Sequence, residues 1–378
     1  MFAVHGFIFA SWAVRVPAVK QQTGASSAAL GLALLGLSAG AVATMLMAGA
    51  LCRRFGSPRV TVISGALLSV TLVLPALARS VVTLGLLLLV FGAAYGCLNV
   101  AMNNIAVDMV AALRRPVMPG FHAAWSLGGL AGAVIGGLLA PHLSATKHLL
   151  LIALAGLLVA AVAGHTLLTR TVPMSPDDRA GSPGRQASAW RQAVRTSRVV
   201  GLFGLIALCA AYDEGAIGDW GALHLRQDLA AGAGLAAAGY AAFALAEAAG
   251  RLSGTSLLER LGRTRVLALG GLTACAGMLV ASLAPDVWLA LAGFAATGLG
   301  LANLFPAAIA RAGLLAGSGG VALTSTLGYS GFLLGPPAIG FLAGEFGLRA
   351  GLTTLSFLAL AAAAIAYTCR DRRPAPER

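Results

Sequence analysis

Three carboxylates fall within seven residues of the stretch "CAAYDEGAIGDWGAL" (209–223): Asp213, Glu214 and Asp219. They continue an apolar run that starts near Val199. If lipid is the solvent, an ionisable side chain inside such a run is costly and marks a functional position. Glu214 lies fifteen residues past Val199, about 22 Å along a helix rising ~1.5 Å per residue. A carboxyl there can load and release a proton as its surroundings change. Asp213 points about 100° around the helix from Glu214, toward solvent or a basic partner. Asp219 stands beside Trp220. It either joins the same proton chemistry or caps a helix end at the interface, where tryptophan is favoured. Gly215 and Gly218 offer the helix a place to break.

Basic, amide and aromatic residues complete the set of candidates. Arg15 follows Trp12 and precedes Pro17. It either snorkels to the surface or, with Trp12, faces a cavity and holds a carboxylate or hydroxyls of a ligand. Glu247 and Arg251 are four apart and share a helix face. They form either a structural ion pair at the end of their span or one that breaks in a working cycle. Asn99 and Asn103 share a face in the same way, with Asn303 at a related place later in the chain. Amides of this kind either glue helices together or bind a polar ligand. His122, with Trp125 and Ser126, opens another apolar run, at the interface or against a ligand. Trp220 joins the candidate ligand-binding residues.

These residues need elements to hold them. The chain has 378 residues, of which 58% are hydrophobic and 10% charged, against about 25% charged in soluble domains. Its apolar runs are continuous, as in "HLLLIALAGLLVAAVAGHTLL" (148–168), which selects membrane helices of roughly 20 residues over strands. Twelve spans are expected, near 2–19, 28–51, 60–78, 82–107, 118–141, 148–169, 198–218, 234–256, 265–284, 287–311, 318–343 and 348–369. Residues 1–169 and 198–369 form two six-helix halves, joined by a polar linker at 170–197 and followed by a tail at 370–378. Residues 2–14 lack a basic segment before them and read as the first span rather than a signal peptide. The net charge of +13 sits in clusters between apolar runs, which argues against nucleic acid. With the amino terminus cytoplasmic, cytoplasmic segments hold nineteen of the 26 Lys and Arg residues and outer loops five. This asymmetry places both termini inside. The five cysteines (52, 97, 209, 275, 369) have no metal-ligand or disulfide spacing. No phosphate-binding loop or nucleophile elbow is present, and neither enzyme chemistry nor a cofactor is expected.

The halves repeat. "CRRFGSPRV" (52–60) matches "LERLGRTRV" (258–266), "GCLN" (96–99) matches "GLAN" (300–303), and "GGLAGAVIGG" (128–137) matches "GFLLGPPAIG" (331–340). Paired six-helix repeats are the pattern of major-facilitator carriers. "GALCRRFGSPR" (49–59) resembles the loop motif of that superfamily, with Arg53 where the motif has an acid and Ser57 where it has a base. The resemblance makes Arg54, and Glu259 and Arg260 of the second copy, candidates for gating together with Glu247 and Arg251. Within the superfamily the chain resembles the fucose-permease-like branch that includes the rhizopine-locus membrane proteins. "SWAVRVP" (11–17), "LNVAMNNIAVD" (98–108), "MPGFHAAWSLGGLAGA" (118–133), "DEGAIGDW" (213–220) and "AEAAGRLSG" (246–254) carry that likeness. Asn99 stands where the branch often has Asp. The resemblance implies an all-α membrane protein of the major-facilitator fold in a bacterial cytoplasmic membrane. It implies a monomer that moves a small polar solute, such as a sugar or cyclitol, coupled to a proton. A glycine-motif likeness at 128–137 keeps an efflux antiporter as the alternative. A membrane sensor or scaffold would need a signalling domain, and none is visible.

Overall fold

A computed structural model of the chain describes residues 1–25, 27–140, 142–169, 186–231 and 233–369. Their regular structure is entirely helical. In order come α1 (Phe2–Ala13), α2 (Val16–Thr23), α3 (Ser27–Phe55), α4 (Ser57–Thr71), a 3-10 turn (Leu74–Leu77), α5 (Val81–Leu113), α6 (Met118–Leu139) and α7 (Ala145–Thr169). Then come α8 (Gln186–Gln227), α9 (Ala233–Leu261), α10 (Arg263–Leu283), α11 (Val287–Leu301), α12 (Leu304–Phe346) and α13 (Leu348–Thr368). Helices are what lipid permits, because each satisfies its own backbone groups. Side-chain hydroxyls follow the same rule: Ser64 donates to the Val60 carbonyl and Thr297 to that of Gly293, each one turn back. Large apolar side chains, among them Leu32, Val82, Leu138 and Phe341, stand exposed on the helix surfaces. A water-soluble chain would bury most of them, whereas a surface of this kind suits the hydrocarbon of a bilayer.

Among the described residues, nine stretches are long and apolar enough to cross a bilayer. One of these, Val287–Phe346, holds two spans. The divide is at Ala316 and Gly317, where the backbone leaves helical geometry within α12. The first span, α1 with α2, and the more polar α9 complete twelve.

The chain divides into two compact units. One is Met1–Gly184 with Gly313–Thr326; the other is Arg185–Ala312 with Leu327–Arg378. In the first, α3 and α4 pack on α5, α1 on α6, and α4 on α7. In the second, α9 and α10 pack on α11, and α10 and α8 on α13. The repeat extends to single turns. Gly56 starts α4 with φ +83° and Gly262 starts α10 with φ +78°. With ψ of 135° and 156°, these are backbone states that a Cβ excludes. Ser80 caps α5 by accepting from the Thr83 N–H, and Asp286 caps α11 by accepting from Trp288 and Leu289. Each pair stands 206 residues apart.

Several boundaries differ from expectation. The first span breaks at Val14–Arg15, because Pro17 in the first turn of α2 has no N–H to continue the ladder. α8 begins at Gln186, inside the segment expected to be linker (170–197); residues 170–185 and the tail lie outside the described residues. Gly215 and Gly218 do not break α8, which runs unbroken to Gln227. A Cβ on Gly215 would come within 2.9 Å of the Phe332 ring, so this glycine serves close approach to α12.

Candidate functional site

In the second unit, α8 and α9 bring two acids to one guanidinium. Arg251 Nη2 lies 2.7 Å from Glu247 Oε1 and 3.5 Å from Glu214 Oε2. All three side chains are largely buried. One guanidinium thus faces two carboxyls: its single positive charge balances one ionised acid, and a proton on the other would make the cluster neutral. The sequence left Glu247 and Arg251 as either a structural pair at the end of their span or one that breaks in a working cycle. α9 continues to Leu261, which sets Arg251 ten residues, about 15 Å, inside the helix. Spacing alone could not show that α9 presents this face to Glu214.

The neighbouring acids differ. Asp213 is 1% exposed, and its Oδ1 has no hydrogen-bond partner. Among the described residues it forms no ion pair. The expectation that it meets solvent or a base fails because α8 packs on α9 and α13, which turns that face into the unit's interior. Asp219 is exposed and Trp220 half-buried. A Cβ on Gly340 would lie 2.9 Å from the Trp220 ring. Asn303 is buried beside the cluster and donates to the Gly250 carbonyl at 3.0 Å, tying the α11–α12 junction to α9. Its Oδ1 has no hydrogen-bond partner.

In the first unit, α5 carries Tyr95, Asn99 and Asn103 one turn apart, all buried. Asn103 Nδ2 donates to the Asn99 carbonyl at 2.8 Å. His122 Nε2 donates to Asn103 Oδ1 at 3.3 Å. His122 is buried against α5, one turn into α6. Trp125 Nε1 donates to His5 Nδ1 at 3.0 Å, and His5 Nε2 donates to the Tyr95 carbonyl at 3.3 Å. His5 also stacks on the Tyr95 ring, with centroids 3.9 Å apart. His5 carried one signal in the sequence, an imidazole inside an apolar first helix, and was not among the candidates. Gly128 and Gly132 of α6 abut the backbone of Ala3 and Phe7, so the glycine run brings α1 close to α6.

The remaining candidates stand apart from these groups. Trp12 is buried edge-on to Phe91, centroids 6.4 Å apart. Arg15 is buried too, so it does not snorkel; it donates to His148 and to the carbonyls of Ala140 and Leu143. Arg54 is exposed, its guanidinium 5.3 Å from the Phe55 ring centre. Glu259 and Arg260 are exposed near the end of α9. Among the described residues no group of His, Cys, Asp and Glu could hold a metal ion.

A family model described as Major Facilitator Superfamily matches residues 1–218 and 203–378. An uncharacterized MFS-type transporter of Yersinia pestis is 32% identical, over 97% of this chain and 94% of that protein. Membrane protein MosC of Rhizobium meliloti is also 32% identical, over 100% and 90%. Among solved structures, the E. coli fucose:proton symporter FucP superposes with TM-score 0.78 at 18% identity, over 98% of each chain. At that identity the likeness speaks to the fold.

Proposed function

We infer that the chain, which belongs to the Major Facilitator Superfamily, is a proton-coupled carrier of a small neutral polar solute such as a sugar or cyclitol. That it is a multi-pass membrane transporter follows from the family and from relatives aligned over nearly its whole length. The coupling assignment rests on one observation: two acids face one arginine inside the spans, so that one of the acids lacks a counter-charge unless it takes up a proton. Loading that proton makes the cluster neutral. Releasing it leaves an excess negative charge that favours rearrangement toward water. Alternating access would then expose the solute to one side of the membrane and afterwards to the other.

The solute class is argued from the first unit. Its stripe on α5, with His5, His122 and Trp125, offers amides, imidazoles, an indole and ring faces, with no acid among them. Such groups bind hydroxyls and sugar-ring faces. FucP, by its name a fucose:proton symporter, shares the fold and supports this class. Asp213 and Asp219 are assigned to the proton route, and Trp220 and Asn303 to the solute side of the second unit. Trp12 and Arg15 shape the first unit, while Arg54, Glu259 and Arg260 are assigned to gating. The lysine and arginine distribution supports an orientation with both termini inside, and the bacterial relatives support a cytoplasmic membrane; the carrier is read as a monomer.

The test is uptake of labelled sugars and cyclitols into proteoliposomes, with and without an inward pH gradient. Glu214→Gln should abolish gradient-driven accumulation while solute exchange persists. Normal accumulation in that variant would remove the cluster from coupling. Failure of every polyol, with uptake of an amphipathic cation instead, would replace the solute class.

A further inference from the structure

We propose that the first unit binds a small anion between Arg15 and His148. Arg15 lies at the gap between α1 and α2, and His148 in the first turn of α7. They are 3% and 0% exposed. Arg15 Nε donates to His148 Nδ1 at 2.8 Å, and Nη1 donates to the carbonyls of Ala140 and Leu143 at 3.3 and 3.1 Å. A guanidinium can only donate, so His148 Nδ1 must accept. An imidazole that accepts at Nδ1 carries its hydrogen at Nε2. His148 Nε2 is therefore a donor, and it has no hydrogen-bond partner; neither does Arg15 Nη2. Both missing partners are acceptors.

Charge narrows the choice of acceptor. The guanidinium stays ionised, and a buried charge without a counter-charge is costly. Residues 1–169 contain a single acid, Asp108, and residues 313–326 contain none. Gln22 and Thr146 bond the carbonyls of Ala76 and Ala78, so α2 and the start of α7 lie at the Ser80 end of α5. Asp108 is twenty-eight residues further along α5, about 40 Å away. The next acids in sequence, Asp177 and Asp178, follow the opposite end of α7. Water would satisfy the two donors and leave the charge. A singly charged acceptor does both. Its chemistry is that of chloride, or of one oxygen of a phosphate, free or carried by a lipid headgroup. This site stands independently of the transport reading, and its test needs no solute.

Thermal unfolding of the full chain, delipidated in neutral detergent, tests it. Sodium chloride or phosphate is titrated against sodium gluconate at constant ionic strength, and phosphatidylglycerol is added in a separate series. The midpoint should rise saturably by several degrees in the wild type and not in His148→Phe. Arg15→Gln would break three buried hydrogen bonds and confound stability with binding, so bromide-soaked crystals of the wild type provide the second measurement. Anomalous density should appear within hydrogen-bond reach of Arg15 Nη2. Saturation by chloride or phosphate alone identifies a free ion. A response only to phosphatidylglycerol identifies a headgroup phosphate. No response in any series, or the same response in His148→Phe, overturns the site and leaves the two donors to water.

Discussion

Removing Arg251 should hurt the protein far more than neutralising either acid beside it. At 2.7 and 3.5 Å, the two Arg–Glu attractions are each about 5–6 kcal/mol at an effective dielectric constant of ~20. Desolvation offsets much of this, and breaking such a buried pair from one side typically costs about 3–5 kcal/mol. Arg251→Gln leaves two acids facing each other with no cation between them, so it takes that full loss. For a domain of 150–250 residues each kcal/mol moves the midpoint by about 2–4 °C, which makes the expected drop on the order of 10 °C. Glu214→Gln and Glu247→Gln each leave one carboxylate, one guanidinium and a neutral amide, which is the charge state of the proton-loaded cluster. Their midpoints should stay within about 1 kcal/mol of wild type. Combining Arg251→Gln with Glu214→Gln removes one of the stranded acids and should recover part of the loss, with a coupling of about 0.5–3 kcal/mol. Differential scanning fluorimetry in detergent measures all five proteins. If either glutamine variant falls as far as Arg251→Gln, neutralising one acid does not relieve the cluster, and the coupling assignment loses its physical basis.

Gly56→Ala and Gly262→Ala should each destabilise by about 1–3 kcal/mol, since both sites need a positive φ that alanine strains; a neutral effect at either would contradict the turn geometry. Trp125→Phe removes the donor to His5 and should cost about 0.5–1.5 kcal/mol while weakening solute affinity in a binding assay. Retained affinity would take the His5–Trp125 pair out of the solute site. Reporter fusions after residues 57, 116, 184 and the carboxyl terminus should report cytoplasm, and fusions after 145 and 228 the outside. A reversed pattern would invert the proposed orientation.

The residue types along the chain were enough to establish a membrane protein of helices in two related halves. A low charge content, continuous apolar runs and a repeat at nearly constant offset each follow from one physical demand, that the backbone be satisfied within lipid. The same demand made Glu214 conspicuous, because an acid in such a run has no cheap explanation. The match of "CRRFGSPRV" with "LERLGRTRV" was legible too, but that Gly56 and Gly262 start α4 and α10 at positive φ came from the structure. Partner choice was not legible. Glu247 and Arg251 were recognised as neighbours on one helix, but only packing of α8 on α9 made them a cluster with Glu214. Asp213 and Glu214 are adjacent in sequence, yet packing sends one into the interior and leaves the other beside Arg251. His5 and His148 had no sequence signal stronger than their residue type. Each acquired a chemical role from a residue more than ninety positions away: Trp125 fixes His5, and Arg15 fixes the tautomer of His148. Hydrophobic demand acts residue by residue and can be read along the chain. Two acids on one arginine, a fixed tautomer or an uncompensated charge exists only between groups, so the tertiary structure decided them.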